Sequence, residues 1–281
     1  LKLNPVKTSE QTILLIKYGA KDLNTLHFAP VQQHIALCTG AAKPNEIRVK
    51  NRNAKCVYGS TEFLSDLQIK DAINPESDFL LKVKLPGIVI GGGLTAIDCA
   101  TELLNYYPVF LEKLFSGKDF SLEISEEEFE IYKNHHNLIQ EEKKKASAEN
   151  RQPEIVKLLR KLGGVKLVYR KRINDAPSYR ENHEEVIECL EQGVDIVELH
   201  SPVEFITDEM NNLKSVIFDK IKFEKDEAGK IGFLSSGDFT ELPSGTLVIA
   251  AGTNCNDIYN DLHPDSFEIN EKTGYFELYT I

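Results

Sequence analysis

A chain of 281 residues, 41% apolar and 27% charged, is long enough to bury one large or two small cores. Its formal net charge of −11 argues against non-specific contact with nucleic acid or an anionic membrane face, and no apolar run approaches the length of a membrane span. Cys38, Cys56, Cys99, Cys189 and Cys255 are scattered with no C-x-x-C pair. That spacing points to reduced thiols in the cytoplasm rather than to a redox disulfide or a zinc site.

In chain order, residues 1–78 read as short mixed elements, with strand-like runs at Ile13–Tyr18 and His34–Thr39 and a short helix at Ser60–Asp66. Leu85–Ile90 is an apolar, β-rich run, as expected of a strand covered on both faces. Thr95–Tyr107 places Ile97, Ala100, Leu103 and Leu104 at helical spacing, and Pro108 is expected to stop that helix.

Residues 109–160 then interrupt a βαβ rhythm that normally spans ~30 residues, and read as a helical insertion. Ser125 and Glu128 form a capping box, Glu141 and Lys145 stand at i,i+4, Pro153 suits a first helical turn and Gly163 a stop. The EEE and KKK blocks are expected to be solvated helix faces, with a partner-docking arm as the alternative. His135-His136 reads as a surface pair, because adjacent helical residues face different ways.

Val165–Arg170 is the next strand, followed by a loop, a helix at Arg180–Gln192 closed by Gly193, and a strand at Val194–Leu199. Leu213–Phe223, Ile231–Leu234 and Phe239–Leu242 suggest an antiparallel meander, and Thr246–Ala251 a buried strand ending at Gly252. The expected fold is α/β, a Rossmann-like parallel sheet with an antiparallel β-meander and a helical insertion.

The string Gly91-Gly92-Gly93-Leu94-Thr95-Ala96 fits G-x-G-x-x-A between a buried strand and a helix. Gly91 allows the tight turn, Gly93 lets a pyrophosphate approach the backbone, and Ala96 lets helix and strand come close. The helix start then offers free N–H groups and a positive dipole end to phosphate. Thr95 can donate to the pyrophosphate or simply start the helix. Ala251 and Gly252 end a buried strand, where open α/β sheets place ligands. The second strand ends in Arg170-Lys171-Arg172, with no acid adjacent. These cations suit a 2′-phosphate and favour NADP(H); a solvated basic turn is the alternative.

"VIGGGLTAIDCA", "KLVYRKRINDAPSYRENHEEVIECLEQGVDIVELHSPVEFI" and "TELPSGTLVIAAGTNCN" resemble the NADPH domain of the glutamate synthase small subunit. They are similar also to the matching domain of dihydropyrimidine dehydrogenase and, more distantly, adrenodoxin reductase. The matched blocks span Pro86–Pro108 and Val165–Asn256. The flanks "HIALCTGAAKP", "CVYGSTEFL" and "SFEINEKTGYFELYTI" resemble parts of a flavin domain that such a nucleotide domain splits.

The resemblance implies an oxidoreductase passing hydride from NADPH to FAD, then electrons to a partner domain or subunit, iron–sulfur or glutamate-synthase-large-subunit-like. It implies that residues 1–78 are the first part of a flavin domain plus linker, 79–253 the NADP(H)-binding domain and 254–281 the returning flavin segment. It also matches Arg170, Lys171 and Arg180 to 2′-phosphate contacts, and Asp98 to an acid of the nucleotide helix; Arg172 is added by proximity. Leu94 replaces the usual Asn, and the 109–160 insertion is additional. One glycine fingerprint is present where the family needs two, so a piece of a longer FAD-containing parent, inactive alone, is expected; Leu1 in place of Met points the same way. The competing reading is a non-catalytic nucleotide-binding or scaffold module that docks a partner through the insertion.

Overall fold

The computed structural model describes residues 4–5, 40, 43–45, 47–225, 231–254, 256, 258–262, 268–270, 274, 276–277 and 279–280. The chain divides into two compact units, Leu1–Asn45 with Thr253–Ile281, and Glu46–Gly252. The sequence reading draws its first boundary at 78/79, whereas residues 46–78 belong here to the second unit. In the first unit, Asn4–Pro5 pairs with Tyr279–Thr280 and Lys43–Pro44 with Thr253–Asn254, both antiparallel. The expected strands at Ile13–Tyr18 and His34–Thr39 lie outside the described residues.

The unit Glu46–Gly252 contains β1 (Val57–Gly59), α1 (Ser60–Gln68), β2 (Gly87–Gly91), α2 (Leu94–Leu114), α3 (Glu126–Ala148), α4 (Ile155–Lys161) and β3 (Val165–Tyr169). It continues through α5 (Pro177–Glu181), α6 (His183–Glu191), β4 (Asp195–Glu198), β5 (His200–Thr207), β6 (Leu213–Lys225), β7 (Ile231–Pro243) and β8 (Thr246–Ala250). Five strands form a parallel sheet in the order β1-β8-β2-β3-β4, and β5-β6-β7 form an antiparallel meander. This is the expected Rossmann-like α/β fold with a meander and a helical insertion.

Strand alternation sorts the core into two layers. Val89, Leu167 and Val248 pack against the helices with Leu103, Phe110 and Val186. Ile88, Ile90, Val168, Leu247 and Ile249 face the other way, onto Phe205, Val216 and Phe218 of the meander. Both faces of β2 and β8 are therefore covered, and every residue of each is buried.

Several local expectations are corrected. The helix expected to stop at Pro108 runs on to Leu114. An interior proline costs about 3 kcal/mol, but burying Phe110 and Leu111 completely returns about 1.5–3 kcal/mol each. Beyond them the Lys113 ammonium donates to the carbonyls of Ala72, Asn74 and Phe79 at 2.8–2.9 Å. Residues 109–114 therefore belong to the sheet helix, not to the insertion.

The helix expected at Arg180–Gln192 breaks into α5 and α6 at Asn182, whose φ of −154° is not helical. The His135-His136 pair is not a free surface pair. The Tyr107 hydroxyl bonds His135 Nδ1 at 2.7 Å, and the His136 ring stacks on Phe115 at 4.9 Å. Phe115 and Tyr107 both lie on or next to the C-terminal half of α2, so α3 docks there.

The Ser125–Glu128 capping box forms as expected. Glu128 is nevertheless buried, not on a solvated face, and pairs with Lys82 at 2.9 Å and Lys84 at 3.7 Å. Burial alone would raise its pKa, but the Lys82 hydrogen bond and both ammonium charges bring the carboxyl below its ordinary range. Glu141 and Lys145 form no ion pair with each other; Glu142 instead grips Arg151 at 2.7 Å. α4 starts at Ile155, so Pro153 precedes the helix, while Gly163, at φ +113°, follows its end as expected. Among the described residues no helix is long and apolar enough to cross a membrane.

Candidate nucleotide site

The site grows from the carboxyl end of β2, the middle strand of the parallel sheet. Gly91 lies opposite Ala250 of β8. A Cβ at Gly91 would stand 2.3 Å from the Ala250 carbonyl oxygen and 2.8 Å from Ala96 Cβ, so strand and helix meet too closely for any side chain. A Cβ at Gly92 would stand 2.3 Å from the Tyr169 ring. At Gly93 the space is open, with no atom within 4 Å of the position a Cβ would take. Of the three glycines, Gly93 is the one whose bare backbone faces room for a ligand.

Gly93 is the N-cap of α2, and its carbonyl accepts from Ala96 N at 3.0 Å. No side chain caps this helix and its first turn holds no acidic residue. The start of a 21-residue helix is thus left with free amides and an unopposed positive dipole end, the arrangement that suits a phosphate. Leu94 is half-buried and Thr95 exposed at this turn. Asp98, also exposed, comes one turn later, where loss of hydration and the charge of Glu185 push its carboxyl upward. At the end of β8, Ala250 is buried, Ala251 half-buried, and exposed Gly252 turns at φ +91°.

The basic segment divides into two pairs. Arg170 and Arg180 are exposed, and neither enters an ion pair among the described residues. Both act on the Tyr169 phenol: burial raises its pKa, and the two guanidinium charges oppose that rise. Lys171 and Arg172 are half-buried, with Lys171 Nζ 5.4 Å from the Phe233 ring centre and Arg172 Cζ 4.9 Å from that of Phe223. Arg172 is also held by both carboxylate oxygens of Asp175, at 2.7 and 3.2 Å.

That contact corrects the expectation of a strand end with no acid beside it. A 3₁₀ turn at Ile173–Asp175 folds the acid back onto Arg172, and the Glu198 carboxylate accepts from the Ile173 amide. The i,i+3 spacing of Arg172 and Asp175 was visible, but not the turn that closes it. Sequence reasoning also missed Tyr169 and Ser178. Ser178 is fully buried, and its amide donates to the Gly92 carbonyl at 3.0 Å, which ties α5 to the glycine turn. Among the described residues no cluster of three or more His, Cys, Asp and Glu side chains could hold a metal ion.

No protein-family model matches the chain. An uncharacterized protein of Rickettsia prowazekii (strain Madrid E) is 36% identical over 185 residues, which make up 66% of this chain and 26% of that protein. The chain thus spans about a quarter of the length of this curated relative. Among solved structures, FprA of Mycobacterium tuberculosis in complex with NADPH is similar at a TM-score of 0.45 and 15% identity, over 84% of this chain and 52% of that one. Thioredoxin reductase of Lactococcus lactis is similar at a TM-score of 0.43 and 13% identity, over 84% of this chain and 49% of that one.

Proposed function

We propose that the Glu46–Gly252 unit binds NADPH and serves an FAD-dependent oxidoreductase of the glutamate-synthase-small-subunit type. The observation that carries this reading is the open backbone at Gly93, at the uncapped, acid-free start of α2 and beside the end of the middle strand. The nucleotide fits these residues. The Gly93–Thr95 turn would hold the diphosphate, and Arg170, Lys171 and Arg180 would meet the phosphate on the adenosine ribose. NADPH supplies a hydride when bound, and in this reading an FAD of the same parent protein accepts it. Electrons then pass to an iron–sulfur or large-subunit-like partner. The residues of this unit bind and orient; hydride transfer asks for placement of two rings, and the described residues need supply no proton shuttle.

The test is a titration of the purified chain with NADPH and NADH by calorimetry. NADPH is expected to bind at least about tenfold more tightly, and Arg170→Ala/Lys171→Ala/Arg180→Ala to lose most of that margin while leaving NADH binding unchanged. Failure of NADPH to bind, or a margin that survives the triple substitution, overturns the assignment. On a flavin-loaded parent, bleaching of the visible flavin band by NADPH is expected; an unchanged spectrum would rule out the hydride step.

A further inference from the structure

Lys171 and Arg172 do not reach freely into solvent as a basic turn would. Each lies over an aromatic ring, and the two rings belong together. Phe223 and Phe233 are direct cross-strand partners in β6 and β7, so they stand side by side on one face of the meander. Phe223 is 46% exposed, unusual for a ring that serves only a core.

The backbone explains how this pair reaches the end of β3. The Leu199 amide donates to the Lys171 carbonyl at 3.2 Å, and the Ile221 amide donates to the Leu199 carbonyl at 2.7 Å. Leu199 makes this link in the left-handed region, at φ +58°. Phe223 follows Ile221 by two residues on the same strand, hence on the same face.

We propose that Phe223 and Phe233 are positioning residues for nucleotide selectivity: an aromatic platform that holds Lys171 and Arg172 at the place where a phosphorylated ribose is read. The inference rests on the nucleotide reading above and adds the elements that set its preference. The two cations take different parts. Arg172 has its charge largely answered by Asp175, so it braces the turn between that carboxylate and the Phe223 face. Lys171 forms no ion pair among the described residues and keeps its ammonium over Phe233, which makes it the pre-ordered cation offered to a dianion. A lysine held by a ring has already given up part of the side-chain freedom that binding would otherwise remove. Arg170 and Arg180, exposed and unpaired, lack that support.

The test compares 2′,5′-ADP with 5′-AMP, two probes that differ only in the 2′-phosphate, by calorimetry on the whole chain. Phe233→Leu keeps the bulk of the side chain and removes the π face. It is expected to lower the ratio of the two affinities about threefold, and Phe223→Leu/Phe233→Leu about tenfold, with 5′-AMP binding unchanged. Phe233→Tyr should restore the ratio. A merely structural role would weaken both probes together and leave the ratio fixed.

If wild type prefers 2′,5′-ADP and the leucine variants keep that preference, the platform is wrong and the nucleotide reading stands. If wild type binds neither probe, both fall. Should the double variant fail to fold, Phe233→Leu alone decides, with melting temperature as the check on its fold.

Discussion

At the scale of single residues, the glycine turn separates two jobs that the fingerprint alone runs together. Gly92 is needed by the fold: a methyl group there would meet the Tyr169 ring at 2.3 Å. Gly93 is free of such contacts, with φ −95° and ψ 173°, a conformation alanine adopts readily. Gly92→Ala should therefore destabilise by about 1–3 kcal/mol through overpacking. Gly93→Ala should cost at most about 1 kcal/mol, the difference between glycine and alanine as N-caps. Denaturant unfolding measures the first effect. NADPH titration should show the opposite order of interest: Gly93→Ala folds normally and loses about tenfold or more in affinity, because its methyl group fills the space left for the diphosphate. Equal affinity in wild type and Gly93→Ala would remove the phosphate from this turn. The fingerprint itself was legible because strand, turn and helix are contiguous in sequence. The roles of Tyr169, Ser178 and Asp175 were not, because each depends on a contact between separate segments or on a turn whose closure no pattern announces.

At the scale of elements, the join between α2 and α3 carries a pH dependence. Phe110 meets Tyr132 edge-on at 5.1 Å, and the Tyr107–His135 bond lies beside them. Burial holds the His135 imidazole below its ordinary pKa of 6.5, and the His136 ring is lowered likewise by burial and Lys143, against the opposing charge of Glu112. The sign follows. The unfolded chain takes up these protons near pH 6.5 while the folded chain resists, so the unfolded state binds more protons below that pH. Stability is thus kept above pH 6.5 and lost as pH falls through the lower folded-state values. Between about pH 7.5 and about pH 5.5, the melting temperature of wild type should fall more steeply than that of His135→Gln/His136→Gln. Parallel curves would mean that neither ring titrates with folding. Element types in this region were readable from capping and charge spacing, whereas the length of α2 was not. Pro108 argues locally for a stop, and only the burial of Phe110 and Leu111 against elements distant in sequence overrules it.

At the scale of the whole nucleotide unit, the insertion serves stability at one end of α2 while the candidate site occupies the other. A helix of 21 residues is about 32 Å long, so contacts at Tyr107, Phe110 and Phe115 lie well away from Gly93. The apolar stripe of α3, with Tyr132, Ile139 and Ala146 all buried, is spent on the body of the unit, and its exposed residues are chiefly charged or polar. This use of the stripe weighs against the view of the insertion as an arm held ready for a partner. It also separates two measurements that a docking arm or an allosteric lever would couple. Ile139→Ala, at a site only 1% exposed, should lower stability by about 2–5 kcal/mol through lost burial and the cavity left behind. Below the melting transition the same variant should keep the wild-type ratio of NADPH to NADH affinity, because no group within reach of the glycine turn or the strand end has moved. A changed ratio in the folded variant would show that α3 reaches the nucleotide through α2. The insertion would then need a role beyond holding the far end of that helix in place.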